Sequence, residues 1–349
     1  MSQSYHTPNE EPCPSCGVLL EVGGEPFLAT VRCPQCLQEV RVRHASGDYR
    51  LLEVLGQGGS GRVFRARKNG NDTDVALKVL EKESGNYEEN LLLLRNEAAC
   101  GRSVEHPHVV KILGLEEDEE GARLEMELMD GGSLHDLIVS GERVSEERLL
   151  WMGLEILKAL EAIHASGLVH RDLKPANILF NAEGVSKLGD FGLARGREAQ
   201  SLIQTHLLAT PDYVAPEILE GSSGDLRSEF YSLGGCLYHA MAGRPPYETE
   251  GLELSDLRMI KVKPVRPDHS VIKNQQTREL IERMLAPDPK HRFQTCEDVE
   301  RQFLIALKFL RSSGGVWRSA NRKNRGRLRN PRAQGIFDFL FGWMNRNQT

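Results

Sequence analysis

The sequence predicts an α+β protein that begins with a small cysteine-rich module, and three observations support this prediction. Apolar segments at 63–67 and 75–80 flank the turn residues Asn69-Gly70, a pattern that is typical of a β-hairpin. Further along, residues 145–166 carry apolar side chains at helical spacing, and Ser145 is a good helix N-cap. Two Cys-x-x-Cys pairs precede both regions. We therefore expect strands first, helices later, and a separate small module in front of them.

The size and charge of the chain limit its class. Its 349 residues leave room for one catalytic domain with small appendages, and its net charge of −6 argues against general nucleic-acid binding. The sequence contains no visible secretory signal, internal repeat or stretch long enough for a transmembrane helix. We therefore expect a cytoplasmic protein.

The two cysteine pairs have the spacing of a zinc ribbon. Each pair is a Cys-x-x-Cys knuckle, and sixteen residues separate the pairs. The four candidate zinc ligands are Cys13, Cys16, Cys33 and Cys36. A module of about 35 residues cannot bury a self-sufficient core, so bound zinc would supply the folding free energy. We assign this zinc-ribbon-like module to residues 1–47.

Other interpretations of these cysteines are open. Disulfides are one alternative, but no secretory signal is present and the other cysteines (Cys100, Cys236 and Cys296) are scattered, which favours reduced thiols. A redox Cys-x-x-Cys is another, but it lacks a surrounding βαβ pattern. Zinc ribbons bind nucleic acid or protein, or serve as scaffolding. Acidic residues outnumber basic ones here, so the ribbon has no basic face, and a partner protein is a candidate.

Residues 170–177, followed thirteen residues later by Asp190-Phe191-Gly192, carry the catalytic chemistry. Asp172 can accept the proton of a substrate hydroxyl, and Lys174 can reach a phosphoryl group during transfer. Asn177 and Asp190 offer oxygen ligands for Mg²⁺. Together these side chains predict ATP-dependent phosphoryl transfer.

This arrangement of motifs resembles the eukaryotic-like (Hanks-type) bacterial serine/threonine protein kinases over about residues 48–310. The resemblance implies a bilobal protein kinase fold. We expect a small β-rich lobe with one helix at about 48–128 and a larger helical lobe at about 129–310. The resemblance also implies ATP and Mg²⁺ as cofactors and protein Ser/Thr hydroxyls as substrates.

The small lobe contains the ATP-binding part of the resemblance. Residues 55–63 fit the glycine-rich loop pattern G-x-G-x-x-G-x-V, whose backbone amides approach phosphates closely. By the resemblance, Lys78 holds the α- and β-phosphates and pairs with Glu97, and the segment 124–134 forms the last strand and the hinge. The implied ATP-binding set is Gly56, Gly58, Gly61, Val63, Ala76, Lys78, Glu97, Met126, Glu127, Met129 and Leu179.

Residues 209–217 resemble the family's segment G-T-P-x-Y-x-A-P-E, which follows the activation loop. Thr210 is expected to contact the catalytic aspartate and lysine, a feature of serine/threonine kinases. Glu217 is expected to form a buried, structural ion pair with Arg292. Glu229 stands where the family has the aspartate that anchors the catalytic loop. Because glutamate is one methylene longer, we expect an effect on the geometry of that loop.

The activation segment also suggests a mode of control. Arg171, next to the catalytic aspartate, can bind a phosphate group that orders this segment. We expect autophosphorylation of Ser201 or Thr205, with ordinary loop hydroxyls as the alternative. Ala209 replaces the family's usual glycine and is expected to stiffen the segment.

The C-terminal tail, residues 311–349, differs from the rest of the chain. It carries eight basic residues and no acidic one over 311–332, and then an apolar run at 335–344. The composition predicts disorder. The apolar run is about half of what a membrane span requires. We expect the tail to contact a membrane surface, RNA or the protein's own surface; the sequence does not choose among these, and it leaves the oligomeric state open.

The sequence therefore predicts a serine/threonine protein kinase that transfers the ATP γ-phosphoryl group to protein hydroxyls and autophosphorylates. One alternative is a catalytically weak ATP-binding adaptor that recruits partners through the ribbon and the tail, for which Glu229 is the only argument. The other is a kinase localised by RNA binding of the ribbon and tail.

Overall fold

The computed structural model of the protein describes residues 10–22, 29–42, 44–58, 61–82, 86–196 and 211–313. The chain divides into two compact units. The first consists of Met1–Arg102 and Lys111–Leu128, and the second of Ser103–Val110 and Met129–Thr349. Strands dominate the described part of the first unit, and helices that of the second. This confirms the predicted α+β fold class with a small sheet-rich part and a larger helical part.

The cysteine-rich module consists of two short antiparallel hairpins. Strand β1 (Glu10–Pro12) pairs with β2 (Leu19–Glu21), and β3 (Thr30–Arg32) pairs with β4 (Glu39–Arg41). The buried core of the module is small and includes two cysteines; its members are Cys13, Leu20, Val22, Cys33, Val40 and Val42. Apolar burial on this scale is modest, as expected for a module of this size.

The rest of the first unit is built on a six-stranded antiparallel sheet. Its strands are β5 (His44–Ser46), β6 (Tyr49–Gly58), β7 (Gly61–Lys68), β8 (Asp74–Glu81), β9 (Ile112–Glu117) and β10 (Gly121–Met126), in the order β5-β6-β7-β8-β10-β9. The predicted hairpin is confirmed, because β7 pairs with β8 and Gly70 takes a positive φ of 79° in the turn. Helix α1 (Tyr87–Ser103) follows β8.

The first strand of this sheet lies before the expected domain boundary at residue 48. Strand β5 pairs with β6 through Ala45 and Arg50, and it is also held by a side chain from β10. The buried Arg123 donates from Nε to Ser46 Oγ over 2.7 Å. The sheet therefore begins at His44, only two residues after the last core residue of the cysteine-rich module, Val42.

The second unit is mainly helical. Its helices are α2 (Leu134–Val139), α3 (Glu146–Ala165), α4 (Pro216–Leu219), α5 (Leu226–Ala242), α6 (Leu254–Lys261), α7 (Gln275–Met284) and α8 (Cys296–Ser313). Short two-stranded sheets join β11 (Leu168–Val169) to β14 (Arg195–Gly196) and β12 (Ile178–Phe180) to β13 (Ser186–Leu188). The predicted helix over 145–166 is confirmed, with Ser145 accepting the amide of Arg148 at its N-cap.

Membrane insertion through a helix finds no support in the described part of the chain. None of its helices combines the length and the apolar character that crossing a bilayer requires. The basic tail from residue 314 onward lies outside the described residues.

Candidate active site

A buried ion pair in the first unit joins the sheet to helix α1. Lys78 Nζ lies 2.7 Å from Glu97 Oε2, and the two side chains are 9% and 2% exposed. A lysine in a strand of otherwise buried apolar residues requires such a partner, because an isolated buried ammonium group is costly. The structure thus brings together the lysine and the glutamate that the sequence paired.

The glycine-rich segment is the β6–β7 hairpin beside this ion pair. Gly58 faces Gly61 across the hairpin, and Gly56 faces Val63, while residues 59–60 lie outside the described part. Gly61 has φ +124°, and a Cβ there would lie 2.5 Å from the carbonyl oxygen of Val79. Only glycine fits that position without displacing strand β8.

The expected adenine-binding residues fall in both units. Val63 pairs in register with Lys78, and Ala76 pairs with Met126 at the end of β10. Met129 and Leu179 belong to the second unit, where Leu179 forms a β-bridge with Ser133. Ala76, Met126 and Met129 are buried, and Val63 and Leu179 are half-buried.

The end of β10 has a feature that the sequence did not reveal. The amide of Glu127 donates to Lys111 O over 3.0 Å, and the amide of Lys111 donates back to Glu127 Oε1 over 2.7 Å. The backbone donor of Glu127 is therefore engaged within the first unit.

The catalytic loop of the second unit places two polar side chains, those of Lys174 and Asn177, against Asp172. Lys174 Nζ lies 2.7 Å from Asp172 Oδ2. Asn177 Nδ2 donates to the same carboxylate oxygen over 2.9 Å and to the Asp172 carbonyl over 2.7 Å. Asn177 ends a 3₁₀ turn, Pro175–Asn177, in which proline fixes the first backbone angle. The loop thereby holds a cation and an amide within hydrogen-bond distance of the Asp172 carboxylate.

The backbone of this loop is strained at Arg171, where a side chain of helix α5 supports it. Arg171 has φ +68°, a left-handed conformation that non-glycine residues rarely adopt. Its amide donates to Glu229 Oε1 on helix α5 over 2.8 Å. The longer glutamate therefore still reaches the catalytic loop. Its second oxygen, Glu229 Oε2, is buried and has no hydrogen-bond partner among the described residues.

Asp190 lies close enough to Asp172 to influence its charge. Burial raises the pKa of Asp172, the neighbouring Asp190 carboxylate raises it further, and Lys174 opposes both. Asp190 also has a left-handed backbone, with φ +65°. The preceding residue, Gly189, is bound to the loop through its amide, which donates to Asn177 O over 3.0 Å, and through its carbonyl, which bonds to His170 Nε2 over 3.1 Å. These bonds fix the two carboxylate-bearing segments relative to each other.

A second buried ion pair lies away from the catalytic loop. Arg292, whose side chain is fully buried, makes two short contacts with Glu217, of 2.6 and 2.8 Å. It also donates to backbone carbonyl groups, including those of Ala286 and Pro287. The structure thus forms the predicted pair, and the further acceptors satisfy the remaining guanidinium donors.

A pocket in the second unit lies next to the catalytic loop. Its lining includes Asp172, Lys174 and Glu229, together with Tyr213 and Val214 from the segment that begins at Pro211. The expected activation-segment residues Ser201, Thr205 and Thr210, and also Ala209, lie outside the described part of the chain. The first residue described after this gap is Pro211, at the start of a 3₁₀ turn.

Sequence reasoning missed a buried lysine in this region. Lys261, the last residue of α6, is fully buried, and its Nζ donates to the carbonyls of Asp212 and Val214. The only local signal was its place between Ile260 and Val262, and a single lysine between apolar residues is common on helix surfaces.

The four cysteines of the N-terminal module form a compact sulfur cluster. The Sγ atoms of Cys13, Cys16, Cys33 and Cys36 all lie within 4.8 Å of one another. Cys13 and Cys36 are 3.6 Å apart and Cys16 and Cys33 3.5 Å apart, far longer than a disulfide bond of about 2.05 Å. Four sulfurs at about 2.3 Å from a tetrahedral Zn²⁺ would be about 3.8 Å from one another. The cluster therefore has the dimensions of a zinc site.

The two cysteine knuckles repeat each other. The amide of Cys13 donates to Val18 O and that of Cys33 donates to Gln38 O, each over 2.8 Å. The fifth residue of each knuckle has a left-handed backbone: Gly17 with φ +75° and Leu37 with φ +61°. The backbone amide of Cys36, helped by that of Gln35 and by neighbouring thiols, lowers the pKa of the Cys33 thiol to about 6, while burial and contacts with the other thiols raise the pKa of Cys16 and that of Cys36.

Comparison with known families gives one clear result. The family model described as the protein kinase domain matches residues 49–304. The chain is also similar to curated bacterial proteins named as serine/threonine-protein kinases.

Three of these relatives illustrate the similarity. A probable serine/threonine-protein kinase of Clostridium perfringens is 32% identical over 254 residues, which cover 72% of this chain and 37% of the relative. PknA of Corynebacterium glutamicum is 36% identical over 252 residues, 70% of this chain and 53% of the relative. PrkC of Bacillus subtilis is 31% identical over 269 residues, 76% of this chain and 41% of the relative. The aligned region thus spans about half or less of each relative's length.

Proposed function

This chain belongs to the protein kinase family, and on that premise we propose that it transfers the γ-phosphoryl group of ATP to Ser or Thr hydroxyls of proteins. The observation that carries the proposal is the hydrogen-bonded group of Asp172, Lys174 and Asn177. A fold alone does not determine a function, but this constellation has the residue types and the contacts that phosphoryl transfer needs.

Asp172 is proposed to orient the substrate hydroxyl and accept its proton. Burial and the Asp190 carboxylate raise the pKa of Asp172, which makes it a better proton acceptor once it is ionised. Lys174, already within 2.7 Å of this carboxylate, would place its positive charge beside the transferring group. In such reactions positioning and electrostatic stabilisation provide most of the acceleration.

The proposed magnesium ligands are Asn177 and Asp190. Both offer the hard oxygen atoms that Mg²⁺ prefers, and the bonds of Gly189 hold their segments together. The amide nitrogen of Asn177 donates to Asp172, so the amide oxygen is the atom that would face a cation. Bound Mg²⁺ would neutralise charge on the ATP phosphate oxygens.

ATP itself is proposed to bind through the first unit and the start of the second. Lys78, oriented by Glu97, would hold the α- and β-phosphates beneath the amides of Gly56, Gly58 and Gly61. Val63, Ala76, Met126 and Leu179 would contact the adenine ring. The backbone amide of Glu127 is already bonded to Lys111. We therefore propose that the backbone carbonyl of Glu127 accepts from the adenine amino group and that the backbone amide of Met129 donates to the adenine ring.

The choice of Ser/Thr over Tyr, and the mode of activation, are parts of the same proposal. The relatives' names, the lysine two residues after the catalytic aspartate, and Thr210 support Ser/Thr acceptors. Autophosphorylation at Ser201 or Thr205 would place a phosphate where Arg171 can bind it.

The N-terminal module is proposed to hold one Zn²⁺ through Cys13, Cys16, Cys33 and Cys36. The sulfur spacing and the two matching knuckles support this. Zinc there would be structural, because all four ligands are protein thiolates. We propose residues 1–47 as this module, 48–310 as the kinase domain and 311–349 as a tail, with the one adjustment that strand β5 (His44–Ser46) belongs to the sheet of the kinase domain. The tail is proposed to contact a membrane surface, RNA or the protein itself, and a partner protein at the ribbon is part of the same proposal.

The adaptor alternative rested on Glu229 replacing an aspartate. Because Glu229 accepts the amide of Arg171 over 2.8 Å, the substitution keeps the support of the catalytic loop, and we favour the active kinase.

The test is phosphate transfer from Mg-ATP by the full chain, compared with Asp172→Asn. We expect a mass gain in the parent, mapped to Ser or Thr, and none in Asp172→Asn. Asp268→Asn, an exposed aspartate of the same unit, is the control and should resemble the parent. If the parent binds ATP but gains no mass, the adaptor alternative is favoured.

A further inference from the structure

The feature that the proposed mechanism does not use is the buried side chain of Lys261. It lies at the C-terminal end of α6, is 0% exposed and is among the largest fully buried side chains in the described part of the chain. Lysine is rarely buried this completely, because its ammonium group loses its hydration. A specific set of partners must offset that cost.

These partners are two backbone carbonyls and two aromatic rings. Lys261 Nζ donates to Asp212 O over 3.0 Å and to Val214 O over 2.8 Å. It also lies 5.3 Å from the ring centre of Tyr231 and 5.4 Å from that of Tyr247, distances typical of cation–π contacts. One ammonium group thus bridges both ends of the 212–214 segment.

The carbonyl of the residue between them is bound as well. Tyr213 O accepts from Ser232 Oγ on α5 over 2.9 Å. Three successive carbonyls, of residues 212 to 214, therefore accept hydrogen bonds from side chains of α5 and α6. Together with the 3₁₀ turn that begins at Pro211, these hydrogen bonds fix the backbone of this short segment tightly.

Other contacts hold the same segment through its side chains. Tyr213 Oη lies 2.6 Å from His239 Nδ1, and the Asp212 carboxylate accepts from Thr249 Oγ1. Tyr213 and Val214 also line the pocket that contains Asp172 and Lys174. A segment held by α6 thus forms part of the surface beside the proposed catalytic base.

We propose that Lys261 is a positioning residue for the protein substrate: by holding the carbonyls of Asp212 and Val214, it sets the shape of the pocket beside Asp172 that receives the polypeptide around the acceptor hydroxyl. The inference rests on the proposed kinase function. It assigns Lys261 to binding of the acceptor and not to binding of ATP.

The charge of Lys261 adds a second, measurable property. Burial lowers the pKa of Lys261 to about 7, while Asp212 and Glu217 oppose that shift. The other groups facing this region are Arg292, which lies 4.8 Å from the Tyr231 ring centre, His239, which bonds to Tyr213 Oη, and the two tyrosines. A protonated amine makes the stronger hydrogen bonds and the cation–π contacts, so the segment is held most firmly below about pH 7.

The experiment compares Lys261→Met with Lys261→Gln, which keeps a donor and removes the charge. Lys263→Met is the matched control, because Lys263 is exposed two residues away. The acceptors are synthetic peptides with one Ser or Thr each, and the best acceptor of the parent is used to measure peptide KM, ATP KM and kcat. Amide hydrogen exchange of residues 212–215 is measured on the same proteins, and thermal unfolding verifies that each is folded.

We expect Lys261→Met to raise peptide KM by about tenfold, the scale of one lost charge-assisted hydrogen bond, with ATP KM within about twofold of the parent. The peptide KM of Lys261→Gln should lie between those of the parent and of Lys261→Met. If Lys261→Met does not fold, Lys261→Gln is compared with the parent in its place. Exchange of residues 212–215 should be faster in both variants and unchanged in Lys263→Met. The parent's peptide KM should rise between about pH 6 and pH 8.5, and that of Lys261→Met should not.

Two results of the kinetic and exchange measurements would contradict the role proposed for Lys261. Unchanged peptide KM and unchanged exchange in a folded Lys261→Met would overturn the proposal, as would equal losses for ATP and peptide. If the parent neither gains mass with Mg-ATP nor transfers phosphate to any peptide, the proposed function fails, and exchange alone decides whether Lys261 holds the 212–214 segment. Faster exchange confined to 212–215 would then retain the positioning role, and unchanged exchange would remove it.

Discussion

The cysteine-rich module and the kinase domain achieve a defined structure by different means. Among the described residues of the module, two of the six in the buried core are cysteines, Cys13 and Cys33, so part of its interior is also its proposed metal site. One buried cluster of the large sheet contains no cysteine; its members in the described part of the chain are Tyr49, Leu51, Phe64, Ala66, Val75, Leu77 and Val79. A small module depends on metal coordination, while a large domain depends on apolar burial.

The kinase domain and the cysteine-rich module also differ in how they support residues with unfavourable backbone conformations. In the kinase domain, the left-handed Arg171 is supported by Glu229, and buried charges such as Arg292 have full sets of partners. In the module, the left-handed Leu37 is 60% exposed and its amide only closes the knuckle turn to Cys33 O. A domain with a large core can maintain strain at a functional site, whereas strain in the module weakens the module itself.

The largest effect should come from metal removal. Structural zinc sites contribute about 10–16 kcal/mol of apparent binding free energy, which is also folding free energy. With a chelator, or in Cys33→Ser, we expect amide protection over residues 10–42 to be lost, while helices α3 and α5 remain protected. Hydrogen exchange together with zinc stoichiometry measures this. Cys100→Ser, outside the cluster, should behave like the parent. If the module keeps its amide protection without metal, it does not depend on metal coordination for its structure.

The next effect concerns the buried pair of the kinase domain. Arg292→Met should lower the free energy of unfolding by about 3–5 kcal/mol, because Glu217 is left as a buried charge without its partner. Denaturant unfolding measures this, and the protection of the module should stay unchanged. Arg301→Met is the control, since its side chain is 70% exposed and its pair with Asp298 should contribute about 0–1 kcal/mol. The double variant with Glu217→Gln should recover part of the loss.

A smaller effect should appear in the pH dependence of stability. Burial raises the pKa of Glu229 above its usual 4.5, so the folded protein holds this proton more tightly than the unfolded chain. Stability from this group is present at low pH and is lost as pH rises from about 4.5 through the folded-state pKa. In Glu229→Gln, the free energy of unfolding, measured with denaturant at a series of pH values, should decrease less steeply with rising pH. Glu282 is exposed, so Glu282→Gln should leave this slope unchanged. An unchanged slope in Glu229→Gln would mean that the buried carboxyl does not titrate differently on folding.

The smallest effect concerns the two matching knuckles. Leu37→Gly should stabilise the module by about 0.5–1 kcal/mol, because glycine adopts a left-handed backbone without a Cβ clash. Gly17→Leu should destabilise it by a similar amount. The chelator concentration at which zinc is lost should rise for the first variant and fall for the second. Equal values for both variants would mean that the left-handed residue is not strained.

Much of the fold and site followed from local sequence patterns. The hairpin at Asn69-Gly70 and the helix capped by Ser145 depend on neighbouring residues, so the sequence predicted them. The pairs Lys78–Glu97 and Glu217–Arg292 join residues far apart in the chain, and only the resemblance to kinases linked them before the structure did.

The features that were missed depend on tertiary contacts. Nothing near Lys261 in the sequence shows that Asp212 and Val214 lie opposite its ammonium group. The same holds for the bond from Arg123 to Ser46, which joins residues of two strands that are not neighbours in the sheet. Whether Glu229 could replace an aspartate was likewise a question of distance, which a pattern cannot answer.

Strand β5 has a practical consequence for shortening this protein. The family match begins at residue 49, and a chain cut there would lose β5 and the acceptor of Arg123, Ser46. The Tyr49–Leu51 stretch of β6, which β5 covers, would become an edge with free backbone donors and acceptors, and such edges recruit strands from other molecules. A chain that starts before His44 keeps this stretch paired, so we expect a start point after β5 to increase self-association through the sheet.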